Sequence, residues 1–312
     1  MFNKLFTTTS LALTIVFGAF AQQGNEWLEP TVYAINKEPA RATAFPYPSE
    51  ALAVVDNYST SPYFKSLNGV WKFHWVGKAD EAPQNFYRED YDISRWDKMP
   101  VPGTWERNGY GIPVYVASGF GFRAPNFEVD PNDSPVGSYR HEFTIPTNWD
   151  GRRVFIHFEG GTTAMYLWIN GQFAGYTENA KCPAEFDITS YIRQGENTLA
   201  CRVYKYGSAS YMEDQDKWRF GGINRNVFLY STAQTRIYDF FSHADLDASY
   251  RNGIFSTDIT LKNYSQTAKS QTIIVDIIDN KGRKILSQSK WVNIPANNTT
   301  ITAFSGNVSS PL

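Results

Sequence analysis

The densest set of chemistry-bearing side chains is Glu213, Asp214 and Asp216, followed at once by Trp218 and Arg219. Carboxylates next to an indole suit two tasks. Their oxygens are hard ligands for a cation and fixed acceptors for sugar hydroxyls, while an aromatic face stacks on a sugar ring. The plain alternatives are a solvated acidic loop, an Asp216 bond to Arg219, and packing of Trp218 and Arg219 between domains. Glu213 and Asp214 also invite a reading as an acid/base pair. On an extended strand, however, neighbouring side chains point to opposite faces, which argues against cooperation. His74, His141 and His157 fall in strand-like runs and read as core or sheet-face residues. The histidines and the two cysteines show no zinc-ligand spacing.

These residues must be positioned by strands, because helical periodicity is scarce. Alternating runs such as 69–75, 153–158 and 164–169 are separated by Gly, Pro, Asn and Asp. In the third run Met165, Leu167 and Ile169 share one face, and Tyr166 and Trp168 the other. Asn170-Gly171 then signals a two-residue hairpin turn, and 172–176 returns. Runs at 199–204 and 226–230 continue the pattern, which is that of a β-sandwich. Large aromatics on both faces of several strands suggest one face for the core and one for a ligand or another domain. Beyond residue 235 the tryptophans thin out to Trp291 alone, and runs at 254–261, 272–278, 284–291 and 299–304 resemble an immunoglobulin-like sandwich. About 100 residues are usual for such a domain, so 236–312 is expected to be incomplete, with Ile274, Ile278 and Phe304 losing cover.

The 312 residues leave room for about two domains. Lys and Arg number 29 against 31 Asp and Glu, a near balance that argues against a nucleic-acid binder. Aromatics reach 16%, suited to β-rich cores and to sugar-stacking surfaces. Residues 1–21 have the charge, apolar run and Ala19-Phe20-Ala21 site of a secretory signal, so cleavage after Ala21 and a secreted or periplasmic chain are expected. No other segment is suited to span a membrane. Cys182 and Cys201 either pair in that compartment or remain two free buried thiols. The N-x-S/T triplets, such as that at Asn263, carry little weight.

Several motifs, in order, are similar to glycoside hydrolase family 2, over about 45–312. They are Phe64-Lys-Ser-Leu-Asn-Gly-Val-Trp-Lys-Phe73, Val101-Pro-Gly-Thr-Trp-Glu106, Gly109-Tyr110 and Pro113-Val-Tyr115. Val136-Gly-Ser-Tyr139, Trp168-Ile-Asn-Gly171, Gly175-Tyr176, Ala184-Glu-Phe-Asp187 and Gly195-Glu-Asn197 follow. The run 210–223 resembles the β-galactosidase branch in particular. The resemblance implies an all-β chain: an N-terminal extension (22–44), a jelly-roll sugar-binding domain (45–232) and part of an immunoglobulin-like domain (236–312). The family's (β/α)8 barrel, which carries its two catalytic glutamates and its magnesium site, is not expected within these residues, so no Glu here is expected to take either catalytic role.

By the same resemblance Asp216 contacts the galactose 6-hydroxyl and gives one ligand to a sodium ion completed by the barrel. Where the branch usually carries a galactose-contacting Asn, Ala117 stands here. Either Ser118 substitutes, or the subsite takes a modified galactose unit of a polysaccharide, such as an anhydro, sulfated or methylated one. Phe120 and Phe122 either widen an apolar platform or belong to the core. From the residues themselves, Trp218 and Arg219 are read either as a stacking or positioning shell for Asp216, with Trp218 a substrate contact, or as domain packing. The partners implied are a β-galactoside or galactan and the barrel; a homo-oligomer is compatible with the sequence, a nucleic acid is not. The competing function is a stand-alone carbohydrate-binding sandwich without hydrolase activity.

Overall fold

The computed structural model describes residues 24–122, 128–179, 181–213 and 216–311. The expected signal peptide, 1–21, and Asp214 lie outside the described residues. In chain order the first strands are β1 (Ala34–Ile35), β2 (Phe64–Ser66), β3 (Gly69–Val76), β4 (Asp97–Val101), β5 (Val114–Val116) and β6 (Val136–Thr144). Next come β7 (Arg153–Phe158), β8 (Ala164–Ile169), β9 (Gln172–Glu178), β10 (Ala184–Asp187), β11 (Glu196–Tyr204), β12 (Lys217–Arg219) and β13 (Val227–Thr232). The last five are β14 (Thr235–Leu246), β15 (Asn252–Asn263), β16 (Lys269–Ile278), β17 (Lys284–Ile294) and β18 (Asn298–Ser309). Two short α-helices are described, α1 (Glu50–Val55) and α2 (Ser210–Glu213). None of the described helices is long and apolar enough to cross a membrane.

The first sandwich packs a seven-stranded sheet (β1-β9-β8-β11-β6-β3-β4) on a four-stranded one (β10-β7-β13-β2). Alternation along β8 explains how. Met165, Leu167 and Ile169 enter the core between the sheets, where Phe73, Tyr139, Ile156, Phe186 and Leu229 also meet. Asn170 and Gly171 take φ of 50° and 76°, as a type I′ turn demands, and β9 returns directly. The inter-sheet gap is tight at Gly175, where a Cβ would sit 2.4 Å from the Phe186 ring.

The opposite face of β8 corrects an expectation. Tyr166 and Trp168 meet neither a ligand nor another domain. They are covered by the chain's own irregular segments in a second core with Trp27, Phe86 and Tyr204. Tyr87 stacks on Trp168 with centroids 5.0 Å apart, and Trp27 on Tyr204 at 4.4 Å. Buried Arg140 holds the 76–96 segment down by donating to the Phe86 and Arg88 carbonyls, at 2.6 and 2.8 Å. Irregular backbone can lie on this face because its carbonyls find these partners.

The second sandwich pairs a β14-β15-β18 sheet with a β16-β17 hairpin. Ile259, Leu261, Ile273, Val292, Ile294 and Phe304 are its buried core. Ile274 and Ile278 are exposed, at 62% and 37%, whereas Phe304 is 2% exposed. Phe304 therefore does not lose cover: it points inward from β18, under the Lys290 ammonium. The N-terminal segment 24–42 bridges both sandwiches. β1 pairs with β9, the Tyr238 hydroxyl donates to Glu38 at 3.0 Å, and the Ala42 amide donates to Asp239 at 2.8 Å. The cysteines differ in setting, also against expectation. Both are free, but only Cys201 is buried; Cys182 is exposed on the loop before β10.

Candidate functional site

β5 and β12 form a separate two-stranded ribbon in which Trp218 lies opposite Tyr115. Residues directly opposite on a ladder share a face. Both rings stand in solvent, 51% and 56% exposed, with centroids 5.4 Å apart. Asp216 precedes β12 with φ 44°, a left-handed conformation that Asp tolerates better than most residues. The Tyr115 hydroxyl donates to Asp216 Oδ1 at 2.5 Å. That bond and the carboxylate charge hold the Tyr115 phenol above its ordinary range. Tyr115, Asp216 and Trp218 thus make one exposed ledge carrying a carboxylate and two aromatic faces.

The other sequence-derived residues are distributed around this ledge. Ser118 is exposed two residues beyond β5, and the described partner of Asp216 is Tyr115 rather than Ser118. Ala117, the residue after β5, is also exposed. The postulated Asp216–Arg219 bond is replaced by the bond to Tyr115. Arg219 is 3% exposed and turns its guanidinium to the Lys217 and Val116 carbonyls, at 2.7 and 3.2 Å, which ties the ribbon together. Phe120 and Phe122 are not a platform; they pack on Tyr211 and Tyr206. Glu213 ends helix α2 and does not lie on an extended strand, so the argument from alternating faces does not apply to it. His74, His141 and His157 sit on β3, β6 and β7; His141 stacks on Trp71, and His157 Nδ1 lies 3.1 Å from Glu185.

Behind the ledge, two buried carboxylates fix the approach of the chain. Glu178 accepts from the Ser208 hydroxyl and the Ala209 amide, each at 2.8 Å, just ahead of α2. Burial pushes its carboxyl up to about 7 despite these bonds and one from Tyr176. Glu106, 2% exposed at its side chain, receives the Lys205 ammonium at 2.7 Å and the Gly221 amide at 3.0 Å. Gly221 must be a glycine, since a Cβ would stand 2.1 Å from the Trp105 ring. Tyr115 and Glu106 were noted in the sequence as parts of motifs only. Their partners are 101 and 99 residues away, and nothing local advertises them.

Among the described residues no three His, Cys, Asp or Glu side chains cluster in a way that could hold a metal ion. Asp216 is exposed and offers a hard oxygen, so it fits as one ligand of a cation whose other ligands come from elsewhere.

Residues 64–233 match the family described as glycosyl hydrolases family 2, sugar binding domain. A β-galactosidase of Priestia megaterium is 36% identical over 293 residues, which are 92% of this chain and 28% of that protein. One from Halalkalibacterium halodurans is 38% identical over 86% of this chain and 26% of its own length. A β-galactosidase large subunit from Lactobacillus helveticus is 35% identical over 89% and 46%. The chain thus spans roughly a quarter to a half of these relatives. Among solved structures, a Bacteroides uniformis β-glucuronidase superposes with a TM-score of 0.63 at 18% identity, over 80% of this chain and 28% of that one, a likeness of fold. A Bacteroides vulgatus β-glycosidase gives 0.57 at 23%, over 80% and 29%. The chain belongs to glycoside hydrolase family 2.

Proposed function

We propose that this chain is the non-catalytic, sugar-binding portion of a secreted, β-galactosidase-like retaining hydrolase, and that its ledge completes a galactoside site on a barrel carrying both catalytic glutamates. The observation that carries the reading is the exposed Asp216 carboxylate, held by Tyr115 beside Trp218. A fixed acceptor flanked by aromatic faces is what a sugar hydroxyl and ring require. The β-galactosidase names of the curated relatives support the sugar. Asp216 would hold sodium as one of several oxygen ligands, and the ion would help to fix the sugar. Ala117, with no hydrogen-bonding group, supports a modified galactan unit over plain lactose.

The test uses the chain alone and fused to the remaining length of the Priestia megaterium relative. The chain alone should leave a chromogenic β-galactoside intact, since retaining hydrolysis needs two carboxyl groups about 5–5.5 Å apart in the barrel. In the fusion, Asp216→Asn should lower galactoside kcat/KM about 10- to 100-fold and blunt the sodium response, because a charged acceptor is lost. Unchanged kinetics across sodium concentrations would reject the role of Asp216. Galactan binding by the chain alone, with an inert fusion, would favour a stand-alone binding protein.

A further inference from the structure

The ribbon that carries the ledge is only three residue pairs long. A two-stranded ribbon of that size is not stable by itself in water, so its height above the sandwich depends on anchors. Arg219 ties the ribbon's strands to each other. The Trp105 amide donates to the Gly221 carbonyl and Thr162 donates to Phe220 and Gly222, and beside these bonds a buried ion pair attaches the ribbon to the sandwich. Lys205, at the end of the long β11 segment, donates from Nζ to Glu106 at 2.7 Å and to the Ile112 carbonyl at 3.1 Å, three residues before Tyr115. Glu106 in turn accepts the Gly221 amide, two residues after β12, at 3.1 and 3.0 Å to its two oxygens. The ion pair therefore reaches the segments flanking both strands of the ribbon, Glu106 at Gly221 and Lys205 at Ile112. Both side chains are almost fully buried, 5% and 2% exposed. Hydrogen bonds to a charged group in a dry site resist distortion more than neutral ones do.

We propose that Glu106 is a positioning residue: with Lys205 it sets where Tyr115, Asp216 and Trp218 stand, and thereby how tightly the ledge grips a galactoside. The second half of this statement rests on the reading of the ledge as a galactoside contact; the first does not. Glu106 itself is buried and acts only through the groups it holds.

Hydrogen exchange on the 312-residue chain tests the first half. In Glu106→Gln the amide side chain still accepts from Gly221, but Lys205 loses its counter-charge. Amides at 110–122 and 216–224 should exchange about tenfold faster, while those of Ala164–Ile169 keep their protection. Should Glu106→Gln fail to fold, the double variant Glu106→Gln with Lys205→Met removes the unpaired charge and should show the same selective loosening. Unchanged ledge exchange in a folded variant overturns the proposal, as does failure of both variants to fold. In the fusion enzyme, Glu106→Gln should raise galactoside KM about tenfold with kcat moved far less, the split expected of misplaced binding groups. Faster ledge exchange with an unmoved KM upholds the positioning role and overturns the galactoside reading instead.

Discussion

The two sandwiches bury their strands by different means. In the first, the seven-stranded sheet is packed on both faces: Phe73, Tyr139 and Leu167 on one, Tyr166, Trp168 and Tyr204 on the other. In the second, the β16-β17 hairpin is packed on one face only, with Ile274 and Trp291 left in solvent at 62% and 73% exposure. A sheet covered twice can carry irregular loops on its outer side without losing rigidity. The ribbon is rooted instead at the rim of the core between the sheets, where Gly221 lies against buried Trp105 and Glu106 pairs with Lys205. A sheet covered once holds its shape by ladder hydrogen bonds and a thin core.

The difference can be attacked by like-for-like truncation. Phe73→Ala, at a fully buried ring, should cost about 3–5 kcal/mol and lower the main melting transition of the chain. Phe304→Ala removes the same atoms from the thinner core. It should cost about 3 kcal/mol or less, and release protection only in 235–309. Equal loss of protection in Ala164–Ile169 in the second variant would show that the sandwiches unfold as one unit.

Acidity should separate the two regions by sign. Glu178 in the first sandwich has its carboxyl raised from 4.5 to about 7 by burial. The folded state therefore holds this proton more tightly than the unfolded chain. Stability from Glu178 is fully present below about 4.5 and falls as pH rises to about 7, by at most about 3 kcal/mol. Glu178→Gln should flatten that slope in thermal melts. In the second sandwich Asp276 and Asp279 are held below their ordinary 3.8 by hydrogen bonds, from Lys284 and from the Arg283 amide respectively. Their contribution is present above that value and is lost as pH falls through the lower, folded-state range. The smallest effect is expected at Trp291. Replacing it by Ser on the open face should leave stability within about 0.5 kcal/mol, read from the same melts.

What the sequence disclosed depended on locality. The β8–β9 hairpin was legible residue by residue, because period-two alternation and an Asn-Gly turn are local signals. Motifs at 101–115 and 210–223 fall on the two sides of the ribbon, and the family resemblance singled out Asp216, but their pairing was not read. The cover over Tyr166 and Trp168 was not legible, since 76–96 has no period and earns its place through carbonyls bonded to Arg140. β14 was missed because a register shift between Ile237 and Asp239 interrupts its alternation. The Tyr115 bond was invisible for a different reason: it joins chain segments 101 residues apart, and no one-dimensional pattern encodes that pairing.

The bridging N-terminal segment has a consequence for synthesis. Trp27 donates to Tyr166, 139 residues on, while Tyr238 donates to Glu38 across 200 residues. At about 5–20 residues per second, Tyr166 leaves the ribosome about 7–28 s, and Tyr238 about 10–40 s, after its partner in the segment. The first described residues to be made are therefore among the last to settle. Until then their apolar side, Trp27 included, stays open to whatever holds nascent chains.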